Sequence, residues 1–242
     1  MYLISKEDRS LKGEINISGS KSESNRLLII RAYTSFFKII NLSDSDDTNT
    51  LISALESNDE KINIGHAGTA MRFLTSYFSS TQNSSKILTG SERMKERPIS
   101  ILVDALNSIG ADIEYIDKVG YPPIRLKGKL ISNHTVSLPA NVSSQYLSSL
   151  MMLGISLSEG LIINLSTKIT SLPYIKMTKE LIERVGGKIF IQPDKIIVEP
   201  ILENKISDQT VESDWSSASY FYSLVALSDF SEITISSFFK KS

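Results

Sequence analysis

Five short tracts place cations, hydroxyls and glycine where a folded chain can meet an anion. In SKSESNR (Ser20 to Arg26), Lys21 supplies a point charge, Ser22 a hydroxyl, and Arg26 a planar fork suited to phosphate or carboxylate, all at one helix entrance. In GHAGTAMRFL, Gly68 and Thr69 stand where backbone can approach a ligand closely. LTGSERMKERPI alternates Arg93, Lys95 and Arg97 with Glu92 and Glu96 ahead of Pro98, which reads as a first helical position. VSSQYL adds Ser143, Ser144 and Gln145, and SLPYI adds Ser171 and Tyr174. Each tract alone has an ordinary reading: a solvated basic turn, a glycine turn, a charged surface, or serines that cap helices.

These groups sit at the starts of elements that repeat. PISILVDALNSIGADIEY, from Pro98, has the periodic apolar pattern of a helix, then a break at Gly110 and a short strand; YIKMTKELIERVGGKIFI, from Tyr174, matches it. One constant offset pairs Ile99 with Ile175, Gly110 with Gly186, Ile113 with Ile189, Gly68 with Ser144 and Arg97 with Pro173. Two further small-residue openings precede apolar helices, at Ser20 and at Asp214. The pattern predicts an α/β chain of repeated βαβαββ units, with strands including Leu161 to Leu165 and Lys195 to Glu199. A helix start carries roughly half a positive charge. The openings at Ser22, Gly68, Ser144 and Ser216 are therefore expected to leave N–H donors free and, by converging, to make an anion pocket without a basic surface.

Composition narrows the rest. The 242 residues are 41% hydrophobic with a formal charge of −1, so a packed core is expected and a global basic field for nucleic acid is not. There is no cysteine, which removes disulfides and thiolate sites. The two histidines, His66 and His134, are far apart in sequence, and no metal site is expected. The N-terminus lacks the apolar stretch of a signal peptide and no apolar run is long enough for a bilayer, so a cytoplasmic protein without membrane or nucleic-acid partners is expected.

In order and spacing the five tracts, with GYPPIRLKG (Gly120 to Gly128) and VESDWSSASYF (Val211 to Phe221), resemble the enolpyruvyl transferase family, from about Gly19 to Phe221. Within it they are similar to the shikimate branch: no loop cysteine is present, and Lys21 is followed by Ser22 rather than Asn. The resemblance implies an inverse α/β barrel of βαβαββ units, with residues 20–213 as one nearly complete substrate-binding domain and residues 1–19 and 214–242 as incomplete pieces of a second, truncated one. It implies transfer of an enolpyruvyl group from phosphoenolpyruvate to shikimate-3-phosphate, without cofactor or metal, by an enzyme that is a monomer at full length. A non-catalytic phospho-ligand binding module of the same superfamily is the alternative.

The roles follow by motif. The resemblance implies that Lys21 contacts both substrates and that Ser22 and Arg26 hold the shikimate skeleton, Arg26 at its carboxylate. Ser143, Ser144, Ser171 and Tyr174 surround the shikimate phosphate, Gln145 lies between the substrates, and Arg97 with the Gly68 turn, including Thr69, binds the phosphoenolpyruvate phosphate. Gly68, with no alanine in its place, matches the form that admits glyphosate. The general base and acid belong to the family's other half, so the 242-residue chain alone is expected to be inactive, with apolar surface exposed around Phe221, Leu224 and Phe238. His66 stands where relatives often have Asn, either satisfied locally or touching the incoming phosphate. Arg72 is expected to brace the pocket, and Asp47 and Asp214 to be structural.

Overall fold

The structure is a computed structural model describing residues 8–35, 37–141, 143–202 and 206–239; Val142 of the VSSQYL tract and the expected segments at residues 1–7 and 240–242 lie outside them. In chain order the elements begin with β1 (Ser10–Ile15), α1 (Lys21–Tyr33), β2 (Ile39–Ile40) and α2 (Asp46–Glu56). The next unit comprises β3 (Lys61–Asn63), α3 (Gly68–Ser80), β4 (Ser85–Thr89), the short α4 (Glu92–Lys95), α5 (Ser100–Ser108), β5 (Asp112–Tyr115) and β6 (Ile124–Lys127). Its partner comprises β7 (Thr135–Leu138), α6 (Ser144–Gly154), β8 (Leu161–Leu165), α7 (Leu172–Arg184), β9 (Ile189–Ile191) and β10 (Lys195–Val198). The chain closes with β11 (Gln209–Thr210), α8 (Trp215–Ala226) and β12 (Phe230–Ile235).

The repeat read from the sequence is a repeat of topology. The sheets run β3-β4-β6-β5 and β7-β8-β10-β9, each with one parallel pair followed by two antiparallel ones. Gly110 and Gly186 end α5 and α7 with φ of 108° and 94°, a left-handed turn that a side chain would strain. The third unit is shorter than expected. Among the described residues, α1 and α2 are accompanied only by β2, paired in parallel with β11, which returns from far along the chain.

Three helices lie inside and the sheets outside. In α1 every residue from Ser24 to Ile30 is buried, in α6 every residue from Tyr146 to Gly154, and α3 is buried along nearly its whole length. A helix apolar all round belongs in an interior. Serines let these helices approach: the Ser76 and Ser149 hydroxyls are 2.6 Å apart, and Ser149 Oγ donates to Arg72 O at 2.9 Å. Strands such as β7 and β8 alternate buried and open residues, covering the helices with one face.

Outside this body, β1 pairs in parallel with β12, from Ser10 opposite Phe230 to Ile15 opposite Ile235. Two segments link the pair to the body and cross side by side. Ser20 N–H donates to Glu212 O at 2.8 Å, Asp214 N–H to Ser18 O at 3.0 Å, and Ser213 Oγ to Ile17 O at 2.7 Å. Exposed apolar surface is present here, as expected, but it is carried by Tyr220, Tyr222, Leu224, Leu227 and Phe230; Phe221 and Phe238 are half-buried, and Phe238 lies 4.3 Å from the Trp215 ring.

Candidate functional site

The starts of α3 and α6 are tied together by residues expected at the site. Gln145, in the first turn of α6, donates from Nε2 to Thr69 Oγ1 in the first turn of α3 at 3.2 Å. Gly68 opens α3 against the Arg97 guanidinium: a Cβ there would lie 2.4 Å from Nη1 and 2.8 Å from Nη2. The missing side chain is what lets the guanidinium lie against the start of α3. Arg97 is exposed and lines a cavity of about 430 Å³ with His66, Arg93 and Met94. Two guanidinium groups and no carboxylate line it, a field suited to an anion.

Arg26 is only 2% exposed. Its Nε donates to Thr178 Oγ1 at 2.7 Å, Nη1 to Ser22 O at 2.8 Å and Nη2 to Ser148 Oγ at 3.1 Å, with the Phe73 and Tyr174 rings 5.5 and 5.8 Å away. Thr178 passes its own proton to Tyr174 O at 2.8 Å and lies 2.8 Å from Ser148 Oγ, so each hydroxyl is committed. All three acceptors of the guanidinium are neutral. Burial lowers its pKa to about 10, which leaves it charged at neutral pH. This cation is enclosed, with its named hydrogen bonds going to two hydroxyls and one carbonyl.

Arg72 braces the turn, as expected. Buried at 4% exposure, it donates from Nη1 to Gly68 O at 3.3 Å and from Nη2 to Pro98 O at 3.2 Å, and burial first, then Arg97, lowers its pKa. Pro98 is not at a first helical position, because α5 begins at Ser100. Its carbonyl instead accepts from both Arg72 and the Tyr146 hydroxyl, the latter at 2.7 Å.

The helix starts are not uniformly open. The cap residues of α1, α3 and α7, which are Ser20, Ala67 and Ser171, make no side-chain capping bond, although Asp214 Oδ2 accepts from Lys21 N–H at the start of α1 at 3.4 Å. Ser143 Oγ accepts from Gln145 N–H at 3.3 Å, using one donor of α6. The opening at Ser216 is closed: Asp214 Oδ1 accepts from Ser216 N–H at 2.7 Å and Ser217 N–H at 3.1 Å, so α8 has no free site there. Asp214 is structural, and Asp47 faces Lys21 Nζ at 3.9 Å.

Ser144 and Gln145 are half-buried, while Ser143 and Tyr174 are exposed. A second cavity, of about 500 Å³, touches Ser22 and Tyr174 but is lined by Glu23, Glu180, Glu212 and Asp214 against Lys176 and Arg184. Its carboxylates oppose a phosphate. Burial raises the Glu23 pKa, partly offset by the Glu212 N–H at 3.4 Å and by Arg184 at 3.9 Å.

Interior helices, exterior sheets and donor-lined helix starts define the class: an enolpyruvyl transferase-like inverse α/β barrel of repeated βαβαββ units. A family model described as EPSP synthase (3-phosphoshikimate 1-carboxyvinyltransferase) matches residues 52–242. The chain belongs to the EPSP synthase family. It is 44% identical over 242 residues to the 3-phosphoshikimate 1-carboxyvinyltransferase of Bacteroides fragilis strain YCH46, covering 100% of this chain and 58% of that protein. It is 36% identical over 257 residues to the enzyme of that name from Colwellia psychrerythraea, covering 93% of this chain and 59% of the relative. The chain therefore spans under two thirds of these relatives' length. An EPSP synthase structure from Acinetobacter baumannii superposes with a TM-score of 0.78 at 19% identity, over 96% of this chain and 57% of that one, and speaks for the fold.

Proposed function

We propose that this chain supplies the substrate-binding part of an enzyme that moves the enolpyruvyl group of phosphoenolpyruvate onto the 5-hydroxyl of shikimate-3-phosphate, releasing phosphate. The observation that carries the reading is the Gly68–Arg97 apposition beside the Gln145–Thr69 bridge, which sets an exposed cation next to an uncapped helix start. Residues 20–213 form the binding domain in this reading, and residues 1–19 and 214–242 belong to the other. Arg97 and the Gly68 turn take the phosphoenolpyruvate phosphate. Lys21, Ser22, Ser143, Ser144, Ser171 and Tyr174 take shikimate-3-phosphate, with Arg26 at its carboxylate and Gln145 between the two substrates.

The reaction adds a proton to the methylene carbon, forms a bond from the hydroxyl oxygen to the adjacent carbon as the hydroxyl proton passes to a base, then expels phosphate as a proton leaves the methyl group. Cations that offset charge at the departing phosphate are the contribution of this chain. The carboxylate base and proton donor are assigned to sequence found in the relatives beyond the matched region, and the 242 residues alone are inactive in this reading. The full-length enzyme is read as a cytoplasmic monomer. Among the described residues no helix is long and apolar enough to cross a membrane.

Calorimetric titration of the chain with shikimate-3-phosphate, using Ser144→Ala and Lys21→Met as controls, tests the reading. Micromolar to millimolar binding weakened by both changes supports it; a folded chain that binds equally well with both changes refutes the assignment.

A further inference from the structure

The cavity beside Arg97 has two polar lining groups, His66 and Arg93, to which the reading above gives no role. His66 Nδ1 lies 2.8 Å from Ser91 Oγ, and Ser91 Oγ also caps α4 by accepting from Met94 N–H at 3.3 Å. Where the serine gives its proton to the imidazole nitrogen while accepting from Met94, the ring proton of His66 is on Nε2. His134 is the opposite case: its Nδ1 is 3.0 Å from Gly160 O, and a carbonyl only accepts, so there the proton is on Nδ1.

The loops carrying His66 and Ser91 are fastened to each other. Ser91 N–H donates to Gly65 O at 3.0 Å, Ile64 N–H to Thr89 O at 3.0 Å, and Gly65 N–H to Asn63 Oδ1 at 3.0 Å. A Cβ on Gly90 would lie 2.7 Å from Gly65 O, so the approach leaves no room for a side chain. The ring is thereby held at the wall it shares with Arg93 and Arg97. Of the two acids on that loop, Glu92 is paired with Lys95 at 2.7 Å, and neither Glu92 nor Glu96 lines the cavity.

We infer that His66, with its tautomer set by Ser91, donates Nε2–H to the phosphate group held by Arg97, and that Arg93 is a second guanidinium donor to the same group. The inference rests on the proposed function and adds the two donors that fix affinity for a phosphate monoester. No covalent step is involved. His66 acts as a hydrogen-bond donor, and Asn, whose amide also donates, is the conservative replacement.

The test uses the 242-residue chain labelled with 15N histidine and arginine, observed by long-range 1H–15N spectroscopy where the imidazoles are neutral, with His134 as internal reference. The expected result is an Nε2–H tautomer at His66 against Nδ1–H at His134. Titration with inorganic phosphate or phosphoenolpyruvate is expected to move the His66 Nε2 and Arg97 signals along one saturation curve. His66→Ala weakens that curve roughly tenfold, the ordinary worth of a hydrogen bond to a charged group, Arg93→Ala weakens it comparably, and His66→Asn restores most of the loss. Ser91→Ala shifts the tautomer balance and weakens binding less. An Nδ1–H tautomer at His66, or unchanged binding in His66→Ala while Arg97→Ala abolishes it, overturns this inference and leaves the proposed function standing. If neither anion moves any signal, both fall. Response to phosphate but not to phosphoenolpyruvate removes the proposed substrate and keeps the site.

Discussion

Arg26 and Arg72 hold one position in successive units: each sits one turn into an interior helix and returns Nη1 to the carbonyl four residues back, Ser22 O at 2.8 Å and Gly68 O at 3.3 Å. Both are buried, both have a pKa lowered by burial, and the acceptors of both are neutral. The corresponding residue of α6 is Ser148, which accepts from Arg26. The repeat thus places two buried cations and one acceptor among the central helices.

Thr178→Val tests how much the enclosure of Arg26 matters to stability. The substitution keeps volume and removes the acceptor 2.7 Å from Nε, leaving a buried charged donor unsatisfied. A loss of about 1–3 kcal/mol in urea unfolding is expected. Arg26→Met in the same background should make the second change cost less than it does alone, as shared partners require.

Gly68→Ala separates ligand binding from folding. The new methyl meets the end of an exposed, flexible arginine rather than backbone, so the side chain swings away and unfolding changes by no more than about 0.5 kcal/mol. Phosphoenolpyruvate affinity measured by calorimetry should fall about tenfold or more, because the guanidinium no longer faces the helix start.

Gly19→Ala should behave in the opposite way. Its Cβ would lie 1.8 Å from Asn41 O, a backbone atom held between crossing segments, so relief requires moving the crossing itself. A loss above about 3 kcal/mol, or failure to fold, is expected in circular dichroism melts. A melt like that of the unsubstituted chain would refute the tightness of the crossing.

The pH dependence of Glu23 follows from its raised pKa, whose largest cause is burial. The folded chain keeps this proton longer than the unfolded one, so the stability contributed by the protonated form is complete below the unfolded value near 4.5. It is lost as pH rises through the folded value. Glu23→Gln cannot ionise and escapes that loss. Its unfolding free energy should match wild type below pH 4.5 and exceed it above the window; equal curves throughout would contradict the burial.

The sequence made the repeat legible because a left-handed helix end demands glycine, and Gly110 and Gly186 recur in phase with the apolar stripe. The third unit was harder to read, since β2 is two residues long and its partner β11 arrives from beyond the other two units. Lys21, Gly68, Arg97 and Gln145 were legible as candidates because charge, glycine and an amide gathered at helix starts suit an anion. Ser148 and Thr178 were not, because a hydroxyl inside a helix has no local mark showing that it receives an arginine from another unit. Nor does Pro98 show in advance that its carbonyl will take two donors, which displaces the start of α5 by two residues.

The parallel pairing of β1 with β12 also dictates an order of events during synthesis. The first strand leaves the ribosome long before its neighbour exists, and the intervening body must be made before the two can meet. In that interval β1 is an unsatisfied edge. Its sequence, SLKGEI, suits the wait: Lys12 and Glu14 charge it and Gly13 weakens its hold on any passing strand. When β12 arrives, Lys12 finds Glu232 at 2.8 Å, so the charge that discouraged wrong partners helps mark the right one.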